Sequence, residues 1–456
     1  MPGLADWRAM YRMEYVQLFE EGYPVGSRPT PDLQEPYIPL PVDGRSGEAL
    51  DALGGAGWEQ AYRSLWEVRE QGLREGFPFV EPNDIESILA DSPEGPVLAP
   101  LSADEYAERI AGAWWGRVAG VTLGRPVEMW RTADIDAYLK AADAYPLTDY
   151  IPLVQVAGIK IPNRLKSMRG HIEHVPLDDD VAYTVAALRL VEERGSQFPK
   201  VDVVRNWVSR FPYECLYSCT KQAYYNWVRR PLDVPVEEYV EQLPLMDNPM
   251  REGLNASIRA DMYGYITPGD PGRAARIAYQ DASVNSVKNG IYAALFTVGC
   301  ISAALSRNPT VETILAGGLS AVPRRSRLAH AIAQVREWYA AANAWEPVAD
   351  RIHATYGHLN CASAMYNFPI TTLALLHGQL DFGKTIATAV ICGVDTDCTA
   401  GTVGSIVGAA VGESGIDPHW ITPFRNTVRT FVAGNGDGDN TMTDLIRRTI
   451  ACRVQG

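Results

Sequence analysis

Long stretches of the chain place apolar residues three and four positions apart, the spacing of one buried face on an α-helix. Beyond Ala103 this holds over Glu105–Val121, Val181–Arg194, Ser286–Ser306 and Arg325–Ala342, each predicted helical. Period-two alternation, the mark of a half-buried strand, is scarce. The pattern predicts an all-α main body. The longest apolar stretch, Gly290 to Leu305, falls short of the ~20 residues a spanning helix needs and reads as a buried helix.

The first hundred residues read differently. A helical opening, Trp7–Glu21, runs into Pro24, Pro29, Pro31, Pro36, Pro39 and Pro41. Proline has no amide donor and breaks helices, so this run is expected to be extended or turn-like. A second helical stretch, Trp58–Gly76, precedes Pro78, Pro82, Pro93, Pro96 and Pro100. The expected division is an N-terminal extension, 1–102, wrapping a main body, 103–456. No fixed-period repeat or low-complexity tract interrupts either part.

Composition narrows the function classes. With 46% hydrophobic and 21% charged residues, the 456-residue chain can bury a large core and is not disordered as a whole. Its net charge of −14, with no Lys/Arg block longer than two, argues against nucleic acid and anionic membrane as partners. Seven cysteines are an odd number spread over a long chain, which reads as a reducing cytoplasm. The opening residues, Met1 to Arg8, lack the basic start and apolar run of a signal peptide. A cytoplasmic protein is expected.

Candidate chemistry lies in two acidic clusters far apart in sequence. Asp178, Asp179 and Asp180 precede an apolar helical run, where they would accept orphan helix amides. Asp395 and Asp397 sit between an apolar run, Ile386 to Val394, and a small-residue run, Ala400 to Gly412. Buried carboxylates so placed repel one another unless a cation compensates. Oxygen ligands select hard cations, and five carboxylates could hold two of them and activate a bridging water. Gly404, Gly408 and Gly412 share one helix face, which permits close helix packing or gives a phosphate or sugar access to backbone amides.

Other candidate groups carry weaker signals. His171 and His174 flank Glu173 with three-residue spacing, short of the four that a metalloprotease helix uses. Cys215 and Cys219 lie among Phe211, Tyr213, Tyr217, Tyr224, Tyr225 and Trp227. That group reads as wall packing, with stacking on a base or nicotinamide ring as its functional alternative.

Taken together, the run from Gly112 to Glu128 with glycines at 112, 116, 120 and 124, the Asp178–Asp180 cluster, and Gly393 to Asp397 with its glycine-rich helix resemble the ADP-ribosylglycohydrolase family. The resemblance spans about residues 105 to 430. Two segments, Glu252 to Gly264 and Tyr279 to Tyr292, fit a longer-chain branch. It implies a compact all-α bundle around a dinuclear Mg²⁺ or Mn²⁺ centre, and a hydrolase that cleaves the bond between ribose C1 and a nitrogen or oxygen. Carried onto this chain, it implies metal ligation by Asp179, Asp180, Asp395 and Asp397, with Asp178 standing where many relatives have Thr or Ser. Glu128 matches an acidic residue that reaches or gates the centre and lines the substrate. After the second aspartate, where many relatives have Thr or Ser, this chain has Cys398 and then Thr399, which leaves either to complete the ligand set. Asn285, Asn289, Gly290, Tyr292 and Gly404 match positions expected to line the ligand.

Cleaving an N-riboside passes through an oxocarbenium-like state, which needs an activated water and a proton acceptor. Asp179 or Asp180 is expected to be that base. Relatives often carry a Ser/Thr-His pair where this chain reads Asn285-Ser286. Besides an ADP-ribosylated acceptor, an ADP-ribosyl or ribosyl small molecule derived from NAD is therefore an expected substrate. The alternative is a catalytically silent relative that keeps the nucleotide pocket.

Overall fold

Helix boundaries in this protein follow its capping residues. The computed structural model describes residues 5–25, 52, 54–162, 164–434 and 439–454. The prolines from Pro29 to Pro41 lie outside the described residues. In the N-terminal part run α1 (Trp7–Glu20), α2 (Gly54–Glu67) and α3 (Ile85–Asp91). The body opens with α4 (Ala103–Gly124) and α5 (Thr132–Ala141), then α6 (Asp179–Arg194), α7 (Lys200–Arg210), α8 (Ser218–Val228) and α9 (Val236–Tyr239). There follow α10 (Asp261–Tyr265), α11 (Pro271–Ala282), α12 (Lys288–Ala304), α13 (Val311–Leu319) and α14 (Arg327–Ala342). The last are α15 (Glu346–Tyr356), α16 (Ala364–Gly378), α17 (Phe382–Ile391), α18 (Thr396–Val411) and α19 (Met442–Ala451). The fold is all-α, as the apolar spacing predicts. Its described strands are β1 (Thr427–Arg429) and β2 (Asp439–Thr441), antiparallel with Val428 opposite Asn440.

Caps account for where the observed helices depart from the apolar spacing. Ser102 and Glu105 form a reciprocal capping box that starts α4 two residues before Glu105. Ser326 accepts from the Ala329 amide, so α14 begins at Arg327 instead of Arg325. Asp178 accepts from the Asp180 amide at 3.0 Å, which brings the start of α6 forward to Asp179. The stretch expected to be helical to Gly76 ends earlier. α2 stops at Glu67, a 3₁₀ turn covers Val68–Gln71, and Gly72 leaves the helix at φ 75°.

Two helices are buried all round. In α12 every residue from Asn289 to Ala304 is buried, and in α18 every residue from Thr396 to Ala410. α18 packs antiparallel on α4 through two facing glycine rows. A Cβ placed on Gly112, Gly116, Gly120 or Gly124 would meet the Gly408, Gly404, Ala400 or Thr396 carbonyl oxygen at 2.3, 2.1, 2.0 and 2.3 Å. Only hydrogen fits at such distances, so the two backbones touch along four turns. That contact fixes the start of α18, with Asp395 and Asp397, beside the end of α4. α1 and α2 form a second, aromatic cluster around Tyr11, Tyr15, Trp58 and Tyr62. Among the described residues no helix is long and apolar enough to cross a membrane.

Candidate metal centre

Three helix ends converge on one cavity of about 320 Å³, in the range of small-molecule sites. The N-terminus of α6 presents Asp178, Asp179 and Asp180, the N-terminus of α18 presents Asp395, Asp397 and Cys398, and the turn after α4 presents Arg125 and Glu128. One ligand atom from each of Asp178, Asp179 and Asp180 lies within 4.8 Å of the others, and the same holds for Asp395, Asp397 and Cys398. The Cys398 thiol donates to Asp180 Oδ2 at 3.4 Å and so links the two clusters. Both helix N-termini direct the positive ends of their dipoles at these carboxylates.

Arginines hold part of this charge. Arg117, fully buried on α4, donates from Nη2 to Asp180 Oδ1 at 2.9 Å and to the Ile258 carbonyl at 2.7 Å. Arg125 Nε donates to Asp178 Oδ2 at 2.6 Å, and Arg164 stands 3.7 Å from Glu128 at the rim. Asp261, also fully buried, has one oxygen 4.0 Å from Arg117 Nη1. Six carboxyl groups, Glu128 included, and two guanidinium groups, Arg125 and Arg164, line the cavity, with Arg117 and Asp261 behind its wall.

The imbalance shows in the acidities. Loss of solvation, followed by the charges of Asp178, Asp180 and Asp395, holds the Asp179 carboxyl well above the usual carboxylate range. Asp397 is pushed the same way by desolvation and then by Glu128 and Asp395. At Asp180 desolvation outweighs the opposing charge of Arg117, and burial also raises Asp395 and Glu128. A set of buried oxygen donors carrying more negative charge than its arginines neutralise fits hard divalent cations. The residues able to hold them are Asp178, Asp179, Asp180, Asp395 and Asp397, with Glu128 beside them.

The loops that carry Glu128 and Asp395 are pinned together. Met129 (φ 61°) and Val394 (φ 71°) both adopt the left-handed conformation. Met129 N donates to Val394 O at 2.8 Å, and Val394 N donates to Trp130 O at 3.0 Å. Each such residue costs about 1–3 kcal/mol, strain that persists because the surrounding contacts over-determine it.

Other expected site residues lie elsewhere. Thr399 is turned into its own helix, donating to the Asp395 carbonyl at 2.9 Å, and does not line the cavity; Cys398 does. Asn285 sits behind the wall, accepting from Arg259 Nη2 at 2.7 Å and donating to Thr220 Oγ1 at 2.9 Å. Asn289 donates to Glu81 and Glu252, each at 2.8 Å, and Tyr292 donates to the Pro82 carbonyl at 2.5 Å. Gly290 packs under the Arg251 carbonyl and Gly404 under that of Gly116. The polar groups of these residues are spent on the N-terminal part and on helix contacts, so none faces the cavity. His171 is exposed, and Cys219 is buried in the wall against Asn255 and Asn285.

Several wall residues escaped the sequence reading. Arg117 carried a readable signal, a charge inside an otherwise apolar Gly/Ala/Trp helix that must have a partner. Arg125, Arg164, Asn255 and Ser218 carried none. Tyr217 and Leu177, about half exposed, line the cavity with Met129.

The sequence matches the ADP-ribosylglycohydrolase family over residues 102–451. None of the curated proteins matches it. A solved structure described as an "ADP-ribosylglycohydrolase-related protein complex" is similar at 16% identity and a TM-score of 0.45, covering 77% of this chain and 98% of that one.

Proposed function

The chain belongs to the ADP-ribosylglycohydrolase family, and from that premise we propose that it is a divalent-metal-dependent hydrolase of the C1 bond of an ADP-ribosyl or related ribosyl substrate. The observation that carries this reading is the meeting of Asp178–Asp180 with Asp395 and Asp397 in one cavity whose carboxyl groups outnumber its arginines. Mg²⁺ or Mn²⁺ held by these aspartates would supply the positive charge that grips sugar hydroxyls and makes water acidic enough to attack.

The chain's own residues then divide the work. Asp180 is committed to Arg117 and Cys398, which suits a fixed ligand. Asp179 is partly exposed and faces the cavity, which suits the base that takes the attacking water's proton. Glu128 and Arg164 stand at the rim, where a leaving group passes. Met129, Leu177 and Tyr217 give that cavity an apolar lining, fitting a substrate that carries a ring as well as a ribose.

The test is turnover. Incubation with Mg²⁺ or Mn²⁺ and a panel of ADP-ribosylated peptide, ADP-ribose conjugates, NAD and nucleosides is expected to release base or acceptor from one member, and chelator to stop it. No release from any member, together with no bound metal, would overturn the reading.

A further inference from the structure

Residues 1–101 precede the family match, which begins at 102, yet their acidic side chains reach into the body. Arg251, with no exposed side-chain surface, donates from Nε to Glu21 and from Nη1 to Glu14, both at 2.7 Å. Arg327, 6% exposed, bonds Glu81 at 2.8 Å and Glu252 at 2.7 Å through Nη2. Lys288 lies 3.3 Å from Glu21, and Gln17 donates to Glu252 at 2.7 Å. Three cations meet here, buried Arg251 and Arg327 and part-buried Lys288, and the body supplies one of the carboxylates against them, Glu252. The N-terminal part brings Glu14, Glu21 and Glu81. Unpaired guanidinium groups are expensive to bury, so with the N-terminal part packed over them Arg251 and Arg327 depend on these carboxylates.

The hub leads directly to the acidic cavity. Glu252 O accepts from Ala364 N at 3.0 Å and Leu254 N donates to Ala362 O at 2.9 Å, pairing 252–254 with 362–364. Leu254, Asn255, Ile258 and Ala362 all line the cavity. The Ile258 carbonyl shares Arg117 Nη2 with Asp180.

We infer that Glu14, Glu21 and Glu81 are positioning residues for the acidic cavity. By neutralising Arg251 and Arg327 they set the seat of segment 251–258, and through the Ile258 carbonyl and Arg117 they set Asp180. The N-terminal part is thus a component of the site and not an appended domain. This rests on the reading of the cavity as a metal site.

The test uses the full chain. Glu21→Gln and Glu81→Gln keep shape and remove charge. Hydrogen exchange of amides 251–258 and 362–364, and Mn²⁺ affinity, are read below the unfolding transition. The control is Leu315→Ala, a core truncation in α13 at a residue that neither lines the cavity nor bonds the charged cluster. The hub variants are expected to speed exchange in both segments and to weaken Mn²⁺ about fivefold or more, while the control changes neither. A lowered Tm with exchange and affinity unchanged would overturn the inference, as would equal loosening in the control. If the wild-type chain binds no Mn²⁺, the metal reading fails and exchange alone decides the coupling. If the charge variants do not fold, Gln17→Ala, which removes its bonds to Glu252 and Glu21 and no charge, is read in the same two ways, with unchanged exchange counting against the inference.

Discussion

Arg117 shows what each side chain of the site has to satisfy. It carries a charge with no exposed surface and meets Asp180, the Ile258 carbonyl and, more distantly, Asp261. Removing one member of a buried pair leaves the other uncompensated, at a cost of about 3–5 kcal/mol. Arg117→Met is therefore expected to lower stability by that order and to weaken divalent-metal binding, read by thermal unfolding and by titration with Mn²⁺. The aspartates set a pH dependence of definite sign. Asp179, Asp180 and Asp397 take up protons more readily in the folded chain than when unfolded. Their contribution to stability is thus full below the ordinary carboxylate range and lost as pH rises through the higher folded-state values. A divalent cation held by these carboxylates would offset that loss. The difference in Tm between metal-loaded and metal-free protein is expected to widen as pH rises; a constant or shrinking difference would contradict it. Both acidic clusters could be read from sequence because each sets its aspartates within three consecutive positions. Their arginine partners could not, since Arg117 and Asp180 are 63 residues apart.

Among the elements, the α4–α18 pair governs the site. Its glycine rows allow backbone contact, and that contact places the Asp395–Asp397 turn against Glu128 and Asp178. A methyl group at Gly116 would lie 2.1 Å from the Gly404 carbonyl, where no rotamer can relieve it. Gly116→Ala is expected to cost at least about 3 kcal/mol, the upper end for overpacking, because the whole helix must move. Metal affinity should fall with stability, whereas Gly272→Ala on α11, where the new methyl meets only Asp270 Oδ1 at 3.8 Å, should leave affinity unchanged. The four-residue spacing of Gly404, Gly408 and Gly412 already implied a close neighbour. That the neighbour is the row from Gly112 to Gly124 emerges only from the fold. The segment from Asn285 to Tyr292 shows the opposite limit. Its sequence resembles a ligand-lining region, but helical phase turns Asn289 and Tyr292 toward Glu81 and Pro82, and a motif does not reveal which face a packed helix shows to which neighbour.

Across the whole molecule, the N-terminal part and the body share one electrostatic balance. The helical character of both parts was legible from the 3.6-residue period. What joins them was not, because Glu14 and Arg251 stand 237 residues apart and Glu81 and Arg327 stand 246 apart. Nothing in a local pattern couples charges over such separations; only the completed core requires them to meet. Under the function proposed above, the five aspartates of the acidic cavity hold the ions that drive hydrolysis. The direct measurement is metal content and Mn²⁺ titration of the wild-type chain beside Asp180→Asn and Asp397→Asn, with far-UV circular dichroism of each. The account predicts two ions in the wild-type chain, loss of binding in both variants, and unchanged helicity. A wild-type chain that binds no divalent metal, or a variant that keeps full occupancy, would contradict it.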